Sequence, residues 1–426
     1  MSAVTLTAGQ EQAAQKASHW IASEQPGIFR LQGSAGTGKT FLAQTIGPMI
    51  PEPWRMVGAA PTHKAAKVLA TRLDCGVSTI HSFLGLRPRQ REGKQVLSQS
   101  SHYDPSEHYD VRVVVLDEGS MIDESVFKYI DQDIKQWGRQ YLCLMDPYQL
   151  PPVNCTEGVL QSLILPESQH HELTETKRFA GPVIEFATAI RDAIVAERDL
   201  VIKPYVEGDH GVFCLSEDKW MAKLKELSTS QEAFQDPDFC RVVAWRNDTV
   251  LAHCAKVRGF LGKDTSVPFS PGDDVIVNEA WIQQEQVILM TGTEFKITAM
   301  EAYKHPKYPE LEGWQVWVDV EDFCYPLYTL DLRKCSKALS SRLSSLASEA
   351  KLKQRSWEDF YALKEWFVDL RPTYAITAHK SQGSTFTHVF VDVRDMFANP
   401  IKWEAERAFY VAVTRASQNV YLKFRT

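Results

Sequence analysis

One stretch constrains this chain more than any other: Gly33-Ser34-Ala35-Gly36-Thr37-Gly38-Lys39-Thr40, which has the order G-x-x-x-x-G-K-T. An apolar run with Ile28, Phe29 and Leu31 precedes it, and Phe41-Leu-Ala-Gln-Thr-Ile46 follows with helical character. Strand, glycine-rich loop and helix in that order make a cradle for phosphates. Glycines let successive backbone N–H groups turn toward one point, and a helix N-terminus adds partial positive charge there. In such a loop Lys39 reaches the β- and γ-phosphates and the Thr40 hydroxyl sits on Mg2+. The segment therefore predicts a nucleoside triphosphate site.

A length of 426 residues is too great for one compact core and implies two to four domains. Hydrophobic content of 44% and charged content of 24% are those of a soluble globular protein. There is no apolar run long enough to span a membrane and no basic-then-apolar leader at the N-terminus, so the expected location is the cytoplasm. The 8 cysteines are scattered without a C-x-x-C or zinc spacing, which predicts free thiols in a reducing compartment. Net charge is −7, yet a nucleic-acid groove needs only local cations, so that class of partner stays open.

Short apolar strands alternate with helical stretches at Ile28–Leu31, Met56–Ala60, Val111–Asp117 and Tyr141–Met145, the pattern of a parallel α/β sheet flanked by helices. The pattern breaks after Leu86 into Arg-Pro-Arg-Gln-Arg-Glu-Gly-Lys and then polar residues as far as Tyr109, which reads as a projecting hairpin. A second alternating unit starts near Lys177 with a helix at Val183–Arg198 and a strand at Arg241–Trp245. It resumes at Tyr374–Thr377, Val389–Val393 and Val420–Phe424. Between them, period-two alternation at 274–277, 294–297 and 314–320 suggests a small β-barrel insertion. A basic helical segment, 336–370, follows it. Its Trp357, Phe360, Tyr361, Trp366 and Phe367 recur at helical spacing and read as core.

The strand Val113–Leu116 delivers Asp117 and Glu118 at its end. The first carboxylate suits a magnesium ligand, and the second a general base that orients water toward the γ-phosphate. Leu144-Met-Asp-Pro-Tyr-Gln-Leu-Pro-Pro-Val153 again ends a strand, with Asp146 and Gln149 suited to sense that phosphate. Arg178 and Arg415, far along the sequence in the second unit, are candidates for arginine fingers reaching across a cleft.

These segments, together with 60–69, 79–84 and 376–383, occur in the order of superfamily 1 helicases. The chain resembles the Dda-like members of superfamily 1B, the 5′→3′ class that also holds the RecD-like enzymes. The resemblance runs from Leu6 nearly to the end and is thinnest over 265–370. It implies two RecA-like P-loop domains with parallel sheets: domain 1A at 1–176 with a pin hairpin (1B) at 86–110, and domain 2A at 177–264 plus 371–426. The inserted domain 2B at 265–370 would be an SH3-like β-barrel with a helical extension, covering the DNA and coupling to the hairpin. The resemblance assigns Gln10 to the adenine and Gly33, Ser34, Ala35, Gly36, Thr37, Gly38, Lys39 and Thr40 to the phosphates. Thr40 and Asp117 hold Mg2+, and Glu118 is the base. Gln149, Arg178 and Arg415 face the γ-phosphate, and Gln382 with Gly383 links ATP to DNA. Pro61, Thr62, His63, His81, Thr377, His379 and Lys380 fall where such enzymes touch single-stranded DNA. Hydroxyls, amides and lysine hold phosphates without reading sequence, and histidine faces stack on bases, so these residue types suit the task.

The implied activity is ATP-dependent translocation on single-stranded DNA, 5′→3′, with unwinding of forked or tailed duplexes in replication, recombination or repair. A monomer in a bacterial or phage-infected cytoplasm is implied, working beside a single-strand-binding protein or replisome components. Two alternatives share the motifs: an RNA-dependent ATPase of the same superfamily, and a nucleotide-gated switch that moves nothing. The chain departs from the family pattern in three places. Met145 stands where a glycine usually precedes Asp146, Gly119 replaces a small apolar residue, and the hairpin offers Val96-Leu97-Ser98 in place of an aromatic wedge. Leu97, His102 and Tyr103 are the remaining wedge candidates.

Overall fold

A computed structural model of the chain describes residues 6–50, 54–91, 94–100, 103–153, 155–175, 181–283, 286–319 and 326–424. Arg178, His102 and Cys324 lie outside the described residues. The chain divides into two compact units, one made of Met1–Gly85, Ser101–His253 and Ala375–Thr426, the other of Leu86–Ser100 and Cys254–Tyr374.

The first unit contains two large sheets. In the first sheet, strands Val77–Thr79, Arg55–Ala60, Val111–Leu116, Gln140–Met145, Gly27–Gly33 and His170–Leu173 lie side by side in that order, all parallel. A parallel sheet is covered on both faces, so Val111–Leu116 and Gln140–Met145 are almost continuously buried rather than alternating. Helix caps set the connections. Asp123 accepts from the Val126 N–H at the start of Glu124–Trp137, and Gly138, at φ 64, ends that helix. Thr7 and Gln10 form a reciprocal capping box on Ala8–Ala22. Trp20, Phe29, Leu31, Leu42, Val113 and Leu144 meet in the core beneath the phosphate loop.

The second sheet runs Ala375–Thr377, Cys240–Ala244, Phe386–Asp392, Ala416–Phe424, His210–Ser216 and Tyr205–Glu207, parallel except for the last, antiparallel strand. Helices Pro182–Val195 and Lys402–Thr414 pack on one another and on this sheet through Phe186, Ile190, Phe409 and Val413. Leu150, from the loop that follows Gln140–Met145 of the first sheet, is fully buried in this same core.

The second unit is an antiparallel five-stranded sheet, ordered Leu327–Leu330, Glu312–Val318, Glu294–Lys304, Asp274–Val277, Leu370–Pro372. Helices Leu332–Lys351 and Trp357–Lys364 bury Leu346, Phe360 and Leu363 together, with Trp357, Tyr361 and Phe367 packed against them. Trp366 donates through Nε1 to the Tyr303 hydroxyl at 3.0 Å. These aromatics are core, as their spacing predicts.

The hairpin differs in extent from the expectation of 86–110. Its strands are Leu86–Arg91 and Lys94–Gln99, and a short 3-10 turn, Pro105–His108, leads back to the first sheet. Its contacts place it with the inserted unit, because Leu86–Arg91 packs beside Gln286–Leu289. Tyr103 belongs to the first unit: its hydroxyl donates to the Phe83 carbonyl at 2.9 Å, and its ring packs against Gly85, where a Cβ would meet Cγ at 2.1 Å. Leu97 pairs with Pro88, away from the turn.

Asp273 is the most concentrated polar junction of the second unit. Fully buried, it accepts from Arg258, Lys263, the Tyr374 hydroxyl at 2.8 Å and the Ser270 N–H at 2.7 Å. Arg258 is itself only 1% exposed, so removing its partner strands a buried charge. Asp273→Ala is expected to lose about 3–5 kcal/mol in guanidinium unfolding. An unchanged unfolding curve would contradict that placement.

Candidate nucleotide site

The phosphate loop leaves strand Gly27–Gly33 and enters helix Lys39–Ile46 through Gly38 in the left-handed region, φ 83. Only glycine fits there, since a Cβ would lie 2.6 Å from the Gln10 Nε2. The loop is braced internally: the Thr37 hydroxyl donates to the Ser34 carbonyl at 2.9 Å. Lys39 arches back so that Nζ donates to the Gly33 and Ser34 carbonyls at 2.6 and 3.1 Å. Gln10 is buried. Its Nε2 donates to the Thr37 carbonyl at 2.9 Å and its Oε1 accepts from the Thr7 N–H at 3.1 Å, so it holds the loop from behind.

Asp117 follows the end of strand Val111–Leu116, and Glu118 takes the left-handed conformation, φ 51. A non-glycine residue at such a φ is strained, and strain of this kind clusters at functional sites. Burial first, then the adjacent Glu118, pushes the Asp117 carboxyl up to about 6, against the pull of Lys39 and Arg415. Asp146, after Gln140–Met145, is raised by burial and tempered by Lys39 and by the Tyr148 N–H and Tyr410 hydroxyl, which donate to it at 3.0 and 2.8 Å.

The second sheet contributes a row of side chains to this same place. Arg415 is 6% exposed and its NH1 lies 3.6 Å from the Glu118 Oε1. It is held there by the Val411 and Ser384 carbonyls, each at 3.3 Å. Gln382 donates to the Leu150 carbonyl at 3.0 Å and to the Gln149 Oε1 at 3.5 Å. Thus Lys39, Asp117, Glu118, Gln149, Gln382 and Arg415, drawn from both sheets, converge.

Three further residues were not anticipated. Arg191 donates to the Ser34 hydroxyl at 3.0 Å, and Arg407 donates to the Gln149 carbonyl at 3.1 Å. Tyr410, fully buried, accepts from the Ala35 N–H at 3.1 Å while donating to Asp146. Arg407 and Tyr410 precede Arg415 on one helix, at a spacing of three residues. That spacing was the one available signal; for Arg191 there was none.

The candidate strand-contact residues sit at strand ends. Thr62, Thr79 and Thr377 each cap a helix, accepting from the N–H of Ala65, Ser82 and Lys380, with His63, His81 and His379 one or two positions on. Pairing of Ala60 with Thr79 brings Pro61–His63 and His81 to one edge of the first sheet. His63 and Lys380 are exposed. Burial lowers the His379 pKa, partly offset by Glu404, whose carboxylate lies 3.6 Å away. Gly383, at φ 71, abuts the first lobe: a Cβ there would meet the Ala65 Cβ at 2.7 Å and the Thr62 hydroxyl at 3.5 Å. Lys64 pairs with Asp238 at 2.6 Å across the same boundary.

A phosphate loop on one parallel sheet, faced by a buried arginine from a second, defines a two-lobed P-loop nucleotide hydrolase with a RecA-like core. Residues 5–200 match the model of an AAA domain, and 372–423 match the UvrD-like helicase C-terminal domain. The chain is a homologue of the ATP-dependent DNA helicase dda of Enterobacteria phage T4. The two are 26% identical over 427 residues, 92% of this chain and 93% of the relative. The fold matches that of a Bacteroides Pif1 helicase solved with ADP-AlF3 and ssDNA, at 18% identity and TM-score 0.52, over 99% of this chain and 94% of that one. A Pif1 structure describing unwinding at forked dsDNA matches at the same identity and TM-score, over 99% and 93%. No helix among the described residues is long and apolar enough to cross a membrane.

Two outcomes follow from the geometry. Because Asp117 holds its proton more tightly folded than unfolded, protonation stabilises the fold below pH 3.8 and that gain is lost as pH rises toward 6. In magnesium-free buffer, Asp117→Asn should therefore be more stable than the native chain near pH 7. The difference should close at roughly 1.4 kcal/mol per pH unit on acidification through that window, read by chemical unfolding at several pH values. Separately, Tyr410→Phe leaves the Ala35 N–H and Asp146 short of a partner. It should cost about 1–3 kcal/mol in the same assay at pH 7.

Proposed function

We propose that this chain is an ATP-driven motor that travels 5′→3′ along single-stranded DNA and separates the duplex ahead of it. The observation that carries the reading is the Gln382–Gly383 pair. Gln382 is bonded to the loop beside the γ-phosphate position, and the next residue presses on Thr62 at the strand-contact edge. One peptide unit thus spans the distance between nucleotide and polynucleotide. A relative named an ATP-dependent DNA helicase, 26% identical to this chain, supports the same reading.

In this cycle Lys39 leaves its two carbonyls for the phosphates, the loop amides of 33–40 cradle them, and Gln10 offers its second amide hydrogen and lone pair to the adenine. Thr40 and Asp117 are hard oxygen donors that fit Mg2+, and the raised pKa of Asp117 marks two adjacent carboxylates short of counter-charge. A magnesium ion held by Thr40 and Asp117 would supply that counter-charge. Glu118, aimed by its left-handed backbone, orients the attacking water and takes its proton. Arg415, Arg178 and Gln149 stabilise the charge on the terminal phosphoryl group. Its departure releases the bridge between the lobes, so that Pro61, Thr62, His63 and His81 on one lobe and Thr377, His379 and Lys380 on the other grip DNA in alternation.

The lobes are assigned as 1–176 and 177–264 plus 371–426, with 265–370 as the inserted domain. A cytoplasmic monomer acting beside a single-strand-binding protein or replisome components completes the proposal. The deciding assay is unwinding of duplexes bearing a 5′ or a 3′ tail. Activity is expected on the 5′-tailed substrate alone, none from Lys39→Ala, and about a 1,000-fold lower kcat for ATP in Arg415→Ala. A preference for the 3′ tail would reject the polarity. Equal ATP turnover with and without nucleic acid would reject the motor, and stimulation by ssRNA rather than ssDNA would move the substrate to RNA.

A further inference from the structure

The phosphate loop is gripped from both lobes, and the two grips fall on different halves of it. Gln10 of the first lobe takes the exit half, donating to the Thr37 carbonyl at 2.9 Å. The entry half, Ser34 to Gly36, answers to the second lobe at three consecutive residues. Arg191 donates through NH1 to the Ser34 hydroxyl at 3.0 Å, and the Tyr410 hydroxyl accepts from the Ala35 N–H at 3.1 Å. Gly36, at φ 80, lies so near that a Cβ there would meet the Ile184 Cγ2 at 3.3 Å. Ile184 and Arg191 stand seven residues apart on helix Pro182–Val195, two turns along one face. That face lies along the loop.

The guanidinium of Arg191 divides its donors. Nε and NH2 both reach the Asp192 Oδ1, at 3.0 and 2.7 Å, which leaves NH1 aimed at Ser34. The Asp192 side chain is 52% exposed, so this pair between chain neighbours adds little to stability; it orients the fork. Ser34, by contrast, is buried, and its carbonyl already accepts from the Thr37 hydroxyl at 2.9 Å and from Lys39 Nζ at 3.1 Å. The residue that Arg191 grips is therefore one on which the loop lysine rests. Where Ser34 goes, the resting place of Lys39 goes too.

We propose that Arg191 is a positioning residue for ATP hydrolysis: through the Ser34 hydroxyl it keeps the entry half of the phosphate loop, and with it Lys39, in register with the second lobe. The proposal rests on the reading of the chain as an ATP-driven motor. A bond between lobes exists only while they are together, so its energy is realised in the closed site where the phosphoryl group is transferred. Capture of ATP by the first lobe does not draw on it. Its loss therefore falls on kcat and leaves KM.

The test measures ATP turnover of the full chain at saturating single-stranded DNA, with guanidinium unfolding of each variant to show that it folds. Arg191→Ala should lower kcat by about 10–100-fold, the loss of one charged hydrogen bond, with KM for ATP within about twofold of native. Arg191→Lys, which keeps the charge and a donor, should lose less. Ser34→Ala should lose to the same order as Arg191→Ala, and the double variant should be no slower than Arg191→Ala alone, because each change removes the same bond. If Arg191→Ala unfolds, Arg191→Gln carries the same expectation. A native kcat in Arg191→Ala, a loss carried by KM, or losses that multiply in the double variant overturn the proposal. So does native turnover in Ser34→Ala, which would make Arg191 a direct ligand of the nucleotide. Turnover that ignores single-stranded DNA while still depending on Arg191 overturns instead the motor reading beneath it.

Discussion

The structure depends on a loop of one sheet being built into the core of another. Leu150 leaves strand Gln140–Met145 of the first sheet, yet its side chain is fully buried among Val183, Phe186, Phe409 and Val413 of the second. Burying a leucine side chain contributes about 1.5–3 kcal/mol, and it does so here only while the two lobes are together. The polar residues around it obey the same constraint. Asp146 and Gln149, four residues or fewer from Leu150, are bonded by Tyr410, Arg407 and Gln382 from the second lobe. In the proposed cycle, a γ-phosphate that moves Asp146 or Gln149 would strain this apolar anchor and draw the second lobe with it. Met145, at the start of this loop, is buried to 1% exposure.

Against that well-satisfied joint, the carboxylate pair is poorly satisfied. Asp117 is raised toward neutrality by burial and by its neighbour, while Glu118 occupies a conformation that side chains rarely adopt. Neither condition helps the fold. Both are what a site needs if it is to take a cation and a triphosphate without first breaking strong internal contacts. Arg415 at 3.6 Å from Glu118 is close enough for attraction and too far for a hydrogen bond, so a phosphoryl oxygen can compete for it. Stability is surrendered locally at the place where binding energy is to be used.

How much of this could be read beforehand follows from what sets each feature. The phosphate loop, the acidic strand end and the central strands were legible because their residues are dictated locally, by glycine conformations and by burial on both faces. In the two large sheets of the first unit, the strands that escaped notice, Val77–Thr79, His170–Leu173, Tyr205–Glu207 and His210–Ser216, lie at or next to sheet edges. There the sequence is short and mixed, His-His-Glu-Leu for example, and no period of two or long apolar run develops. Cross-lobe partners such as Arg191 and Tyr410 were illegible for another reason: their meaning lies in residues hundreds of positions away. The hairpin's association with 254–374 came from the resemblance alone, since it arises from strand Gln286–Leu289 and not from its own chain neighbours.

Three threonine caps fix the local geometry at the candidate strand-contact edge. Thr62, Thr79 and Thr377 each spend their hydroxyl on a backbone N–H, fixing where the following histidine or lysine begins. With the local geometry fixed, the variable left is the distance between lobes. Gly383 sets how near they come: at φ 71, with only 2.7 Å between a notional Cβ and the Ala65 Cβ, any larger residue holds the lobes apart. Gln382, immediately before it, feels the loop that carries Asp146 and Leu150. In the proposed cycle a displacement at the nucleotide would reach Thr62 through these two adjacent residues, with no long lever between. In the proposed cycle the unit of travel is then set by how far the lobes separate, and the caps ensure that each contact residue arrives already positioned.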